Sequence, residues 1–313
     1  MKGSLTQEVP STGFELGQAY KVCRGIARRE AKNFYYAFLA LPVDRRNAIC
    51  AIYAFMRQAD DLADDESLSR EERRRRLDAW LAAWRQVAAG AVSNDPVFLA
   101  VRDATTRFRI PLALLDELVE GVTMDLARAG NGAPDTYATF ADLYRYCYLV
   151  ASVVGLVCIR IFGYIDPRAE KLAEETGIAF QLTNILRDVS EDAGRKRVYL
   201  PLEDLAAHKI SVHSLLHHAS GTPPAMNERN MFEEMAKRAE RYYASARELM
   251  PLINKESRPA LWVLVTIYHR LLKRIAAADY DVFTRKAKVP LVEKLAILAI
   301  GLGWTAWERV FKR

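Results

Sequence analysis

Leu149 to Ile161 reads LVASVVGLVCIRI, and Arg160 is its only charge. A helix that is apolar on nearly every side belongs at the centre of a bundle. Ser152 and Gly155 are small enough to let a neighbouring helix, or a long apolar ligand, come close. Around this segment helical periodicity dominates. After Pro42 the apolar residues Ile49, Ile52, Tyr53 and Met56 recur at i, i+3, i+4 and i+7, the pattern of a buried helix face. Similar patterns predict helices over roughly 15–38, 69–90, 94–109, 111–129, 137–163, 167–193, 225–250, 256–278 and 289–311. The breaks carry turn residues: Ser93-Asn94-Asp95-Pro96, Ile110-Pro111, Gly130-Asn131-Gly132-Ala133-Pro134, Asp166-Pro167 and Gly221-Thr222-Pro223-Pro224. No alternating run bounded by hairpin turns and no fixed-period repeat is visible, so the expected class is all-α. No linker is long or polar enough to divide the 313 residues, and a single domain over 1–313 is expected, with 1–14 as a flexible N-terminal segment.

Composition narrows the function classes. Half the residues are hydrophobic and Gly and Pro are sparse, which excludes a disordered or collagen-like chain. The net charge of +6 suits acidic small molecules or anionic lipid. The Arg70 and Arg73 to Arg76 run alternates with Glu71 and Glu72 and has no interleaved aromatics, so it reads as a solvated helix face and not a nucleic-acid site. Cys23, Cys50, Cys147 and Cys158 lack CxxC spacing and sit in apolar helical contexts, consistent with buried free thiols and a reducing cytoplasm. MKGSLTQEVPSTGFELG, at the N-terminus, has no apolar core of signal-peptide length.

Two acidic constellations carry the chemistry. In QADDLADDE, Asp60 and Asp64 are one helical turn apart, as are Asp61 and Asp65. Four repelling carboxylates directly after an apolar helix face call for a cation, although a solvated helix terminus would show the same run. In QLTNILRDVSED, Asn184, Asp188 and Asp192 fall at i, i+4 and i+8 on one face, which Gln181 and Gly177 continue. Facing helices build metal sites in bundles in this way. Oxygen-only ligands point to magnesium, with manganese able to replace it; magnesium keeps waters and is often completed by substrate phosphates. A diphosphate with an apolar tail is therefore the expected substrate, and Arg57, Arg187, Lys196 and Arg197 are candidates to clamp it.

These residues also carry a resemblance. NFYYAFLALPVDRRNAICAIYAFMRQADDLADD (Asn33 to Asp65), YCYLVASVVG (Tyr146 to Gly155) and QLTNILRDVSEDAGRKRVYLPLEDL (Gln181 to Leu205) resemble, in order, the signature regions of the squalene/phytoene synthase family. The resemblance implies a class I isoprenoid-synthase-like helical bundle around a central apolar cavity. It implies magnesium held by Asp60, Asp61, Asp64, Asn184, Asp188 and Asp192, with Asp60, Asp64 and Asp188 acting in catalysis. Tyr53, Arg57, Gln181, Arg187, Tyr199 and Phe34 would line the substrate site, and Tyr148 would stand near the reacting carbons, relaying a proton. Some relatives carry His and Ser where this chain has Glu30, Ala31 and Asn33. The implied reaction is head-to-head condensation of two prenyl diphosphates. Farnesyl diphosphate, giving presqualene diphosphate and onward squalene or hopanoids, is the first expectation, and geranylgeranyl diphosphate, giving phytoene, is the alternative. A class I terpene cyclase would share the acidic motifs. Use of NADPH is left open, since no GxGxxG opens a strand–helix unit. A monomer or weak homodimer is expected in the cytoplasm. Peripheral membrane contact is expected through Pro290 to Arg313, where Leu291, Leu295, Leu298 and Leu302 precede Trp304, Trp307 and Phe311, with bases flanking them.

Overall fold

A computed structural model describes residues 15–128, 135–218 and 221–311; the expected flexible segment 1–14 lies outside them. The chain runs α1 (Leu16–Glu30), α2 (Lys32–Leu39), α3 (Val43–Ala63), α4 (Arg70–Ala88), α5 (Pro96–Arg107) and α6 (Leu112–Arg128). A short strand β1 (Asp135–Tyr137) leads to α7 (Phe140–Cys147), a π-helical turn (Tyr148–Ser152) and α8 (Val153–Phe162). Then follow α9 (Arg168–Gly194), β2 (Arg197–Pro201), α10 (Leu202–Ala207), α11 (Val212–Leu216), α12 (Met226–Leu249), α13 (Arg258–Ala277) and α14 (Leu291–Phe311). The architecture is all-helical, as the periodicity predicts.

Local chemistry sets the helix starts. Asp95 accepts from the Val97 and Phe98 amides at 2.7 and 3.3 Å, with Pro96 in the first turn of α5. Thr139 and Asp142 form a reciprocal capping box on α7. One half of the core gathers α1, α3, α4, α5 and α8 around Phe55, Trp84 and Phe98. The other packs α9, α12 and α13 around Phe232, Tyr243 and Tyr268. Cys23, Cys50 and Cys147 are buried and Cys158 half-buried, all as free thiols.

The predicted helix over 137–163 differs from the structure. It is split by the π turn, where α9 crosses it at very short range. A Cβ on Gly177 would lie 2.5 Å from Ser152 Cα, and Ser152 Oγ donates to the Glu174 carbonyl at 2.6 Å. The small residues of LVASVVG thus serve close helix approach. Phe140–Phe162 is long and apolar enough to cross a membrane, but half of that window is buried in the bundle. The predicted helix over 15–38 is likewise two, joined at Ala31. β1 and β2 pair in parallel, Asp135 with Arg197 and Tyr137 with Pro201; strands this short leave no alternating pattern in the sequence.

Candidate active site

α3 delivers the first acidic motif at its C-terminal end. Asp60 and Asp61 lie in its last turn, and the Asp64 amide closes the helix on the Asp60 carbonyl at 2.8 Å. Carboxylates there face the negative end of the helix dipole, an arrangement that favours a bound cation. Asp60 and Asp64 line a cavity of about 310 Å³ with Arg73, Leu118, Tyr146, Leu149 and Arg197. Asp61 is not brought to it. It pairs with Arg57 in a separate groove beside Glu30 and Gln58, between α1 and α3. The first motif is therefore divided between two faces of α3, because consecutive residues of a helix point about 100° apart.

Arg73 escaped the sequence reading as part of a solvated basic face. Arg74, Arg75 and Arg76 do make surface ion pairs with Asp78 and Glu72. Arg73 instead turns inward and donates to the Ala63 carbonyl at 2.9 Å, while its Nε is buried without a partner. Its spacing was the available signal: Arg73, Leu77 and Trp84 continue one buried face of α4.

α9 presents the second motif. Arg187 donates to Asp188 through Nε at 2.8 Å and through a second guanidinium nitrogen. Lys286, from the segment before α14, approaches Asp188 at 3.2 Å and also binds Glu191. Burial raises the Asp188 carboxyl, but Arg187 and Lys286 outweigh it and hold the group below the usual carboxylate range. Burial, then the Asp188 charge, push the Asp192 carboxyl up to about 7 despite Arg197 nearby. Asn184 donates to Gln181 at 3.4 Å, and its Oδ1 is buried without a partner. Tyr268, which the sequence reading missed, also bonds Asn184. Its ring sits 5.6 Å from that of Phe34 and stacks at 4.5 Å on Phe180.

A wall of tyrosines and one arginine joins the two motifs. Arg197 lines the main cavity with Asp60 and Asp64, and a water-sized void with Asp192 and Tyr199. Tyr146 stacks on Tyr199 at 5.0 Å and donates to its hydroxyl at 3.3 Å; Tyr137 packs against both. Tyr53 lies on α3 against Phe38, its phenol pushed up to about 12 by burial. Lys196 is exposed in the turn before β2.

Tyr148 requires a correction. Its hydroxyl donates to Glu117 at 2.9 Å, Arg145 lies over its ring, and it does not line the cavity. The π turn begins at Tyr148, so the wall is made by its neighbours Tyr146, Leu149 and Val150. The central tyrosine facing the cavity is Tyr146.

The donor chemistry fits magnesium. Every candidate ligand is an oxygen, Asn184 Oδ1 lacks a hydrogen-bond partner, and Asp192 is a half-buried carboxylate raised by desolvation and by Asp188. Among the described residues no three His, Cys, Asp or Glu side chains converge as a preformed cage.

Comparison with known proteins identifies the family. Residues 27–293 match the family model for squalene/phytoene synthase. The chain is 35% identical over 292 residues to phytoene synthase 1, chloroplastic, of Arabidopsis thaliana, covering 91% of this chain and 66% of that protein. It thus spans about two thirds of that chloroplast relative. It is 34% identical over 301 residues to 15-cis-phytoene synthase of Synechococcus elongatus, covering 92% and 93% of the two chains. Among solved structures, a dehydrosqualene synthase in complex with ligand superposes with a TM-score of 0.79 at 30% identity, over 93% of this chain and 98% of that one. Squalene synthase HpnC from Alicyclobacillus acidocaldarius gives 0.76 at 26%, over 85% and 96%.

Proposed function

Because the chain belongs to the squalene/phytoene synthase family, whose members transfer prenyl groups, we propose that it condenses two farnesyl diphosphates head to head into presqualene diphosphate. The observation that carries the reading is the shared wall: Arg197 and the Tyr146–Tyr199 pair connect the Asp60/Asp64 cavity to Asp192. Magnesium, held by Asp60 and Asp64 on one side and Asn184, Asp188 and Asp192 on the other, would supply the charge that lets an allylic diphosphate leave.

The chain's own residues perform the rest. Arg73 and Arg197 stand where a leaving diphosphate gains charge. Leu118, Val122 and Leu149 keep water from the allylic cation formed when the C1–O bond breaks. The C2=C3 alkene of the second substrate attacks that cation, and loss of a proton closes the cyclopropane, leaving one diphosphate on the product. The Tyr146 ring faces the cation, and its hydroxyl, bonded to Tyr199, is placed to pass the proton on. With NADPH the intermediate would be reduced onward to squalene, for the hopanoid route.

The C15 substrate is supported by the dehydrosqualene and squalene synthases among the solved structures. A second reading, condensation of two geranylgeranyl diphosphates to phytoene, is supported by the phytoene synthases among the curated relatives. Parallel incubations with farnesyl and geranylgeranyl diphosphate and magnesium, with and without NADPH, separate them. A C30 product is expected; turnover of the C20 substrate alone would replace the first reading by the second. We place the enzyme in the cytoplasm, as a monomer or weak homodimer, where substrates and products with such tails partition into lipid.

A further inference from the structure

The last helix is built inside out. Along α14, Leu291, Val292, Leu295, Ile300 and Leu302 are 57%, 79%, 48%, 60% and 42% exposed. Ala296, Ala299 and Gly303 are exposed between them, so the outward half of the helix from 291 to 303 carries no charge. Its charged residues face the other way. Glu293 is bound by Arg270 at 2.9 Å and Arg274 at 2.5 Å, and Lys294 is half-buried. Leu298, which the sequence groups with the exposed leucines, is buried at 8%. The side chains of Trp307 and Phe311 lie outside the described residues.

Two contacts keep the helix from rotating its apolar face inward. The Glu293 ion pairs fix its first turn to α13. Further along, Gly301 passes so close to α13 that a Cβ there would meet Val263 Cγ2 at 2.6 Å and Trp262 at 3.9 Å. A soluble surface rarely shows an apolar strip of this kind without an occupant.

The surroundings select the occupant. Between 270 and 294 the chain carries seven bases against three acids. Beside α14 a groove of about 330 Å³ is lined by half-buried Trp262 and by Arg247, Arg270 and Lys273. An apolar strip fringed by bases and a tryptophan matches an anionic bilayer, with aliphatic side chains among the acyl chains and bases at the headgroups. A second copy of this chain would bring the same bases against themselves, which disfavours a two-fold dimer on this face.

We propose that the outward face of α14, with its fringe of Lys273, Arg270 and Lys288, docks the protein on an anionic lipid surface. The protein is then held at the phase into which long-tailed substrates partition, while the reaction itself does not depend on docking.

The test uses the full chain, floated with vesicles of phosphatidylcholine alone or mixed with phosphatidylglycerol. The native protein floats with the anionic vesicles and is released as salt is raised. The double variant Leu295→Glu, Ile300→Glu loses at least about tenfold in bound fraction, with unchanged melting temperature and turnover of detergent-dispersed substrate. If that variant misfolds, Lys273→Glu with Lys288→Glu, at exposed polar positions, weakens anionic binding alone. Failure of the native protein to float, or equal flotation of a folded variant, overturns the proposal. So does a concentration-dependent dimer, abolished by the same substitutions, in a protein that ignores vesicles.

Discussion

Asp192 shows how much of the site's chemistry is written in single residues. Its carboxyl, raised to about 7 from 3.8 by burial and by Asp188, makes the native state bind a proton that the unfolded chain has released. Stability therefore falls as pH rises from about 4 to about 7, and levels above that. Asp188, held below its usual range, acts only at lower pH. In chelator, Asp192→Asn should melt at least about 3 °C above the native protein at pH 8, with the gap closing by pH 5; about 1 kcal/mol is involved. Thermal melts across that range check it, and a pH-independent gap would contradict it. The acidic residues and Arg187 were legible as a motif because their spacing is helical. The role of Tyr148 was not, since one residue decides which tyrosine faces the cavity and a π turn intervenes. Tyr148→Phe, which forfeits one hydrogen bond to Glu117, should cost about 1 kcal/mol in stability and leave turnover within about threefold. Tyr146→Phe should lower kcat by about tenfold or more, by breaking the hydroxyl contact with Tyr199. The reverse ranking in steady-state kinetics would return the relay to Tyr148.

Among the elements, those with a strong 3.6-residue pattern were legible and those set by tertiary contact were not. α3, α9 and α12 follow their apolar stripes and turn-residue breaks. The π turn, β1 and the inward turn of Arg73 depend on what other helices do. At the crossing of α9 on the π turn, Gly177 leaves no room: a Cβ would meet Ser152 Cα, Ser152 N and the Ala151 carbonyl carbon at 2.5, 2.7 and 2.9 Å. These are backbone atoms, so Gly177→Ala must move a helix, at a cost of about 1–3 kcal/mol or more. Gly25→Ala on α1 meets only the end of Arg29 at 3.6 Å and should be neutral or stabilising by up to about 1 kcal/mol. Chemical denaturation of the two variants checks the contrast, and equal stabilities would mean that the crossing is looser than described.

For the whole molecule, the division of labour follows from where apolar and charged surface lie. A helical bundle holds a cavity bordered by Asp60, Asp64 and Arg197, Arg197 also reaches the small void beside Asp192, and the last helix offers an apolar strip outward. The bundle and the acidic faces could be read from the sequence; the position of Arg73, Lys286 and Tyr268 at the site required the fold, because nothing local marks them. The central claim is head-to-head condensation on this cavity, and product stoichiometry tests it most directly. Purified protein given farnesyl diphosphate and magnesium should release one diphosphate for every two substrates consumed, with a C30 cyclopropylcarbinyl diphosphate as the matching product. Asp188→Asn should slow that release by at least about a hundredfold, a loss of roughly 3 kcal/mol in the transition state, with its helical circular dichroism unchanged. One diphosphate released per substrate with a C15 hydrocarbon as product, or full activity in the Asp188→Asn protein, would contradict the account.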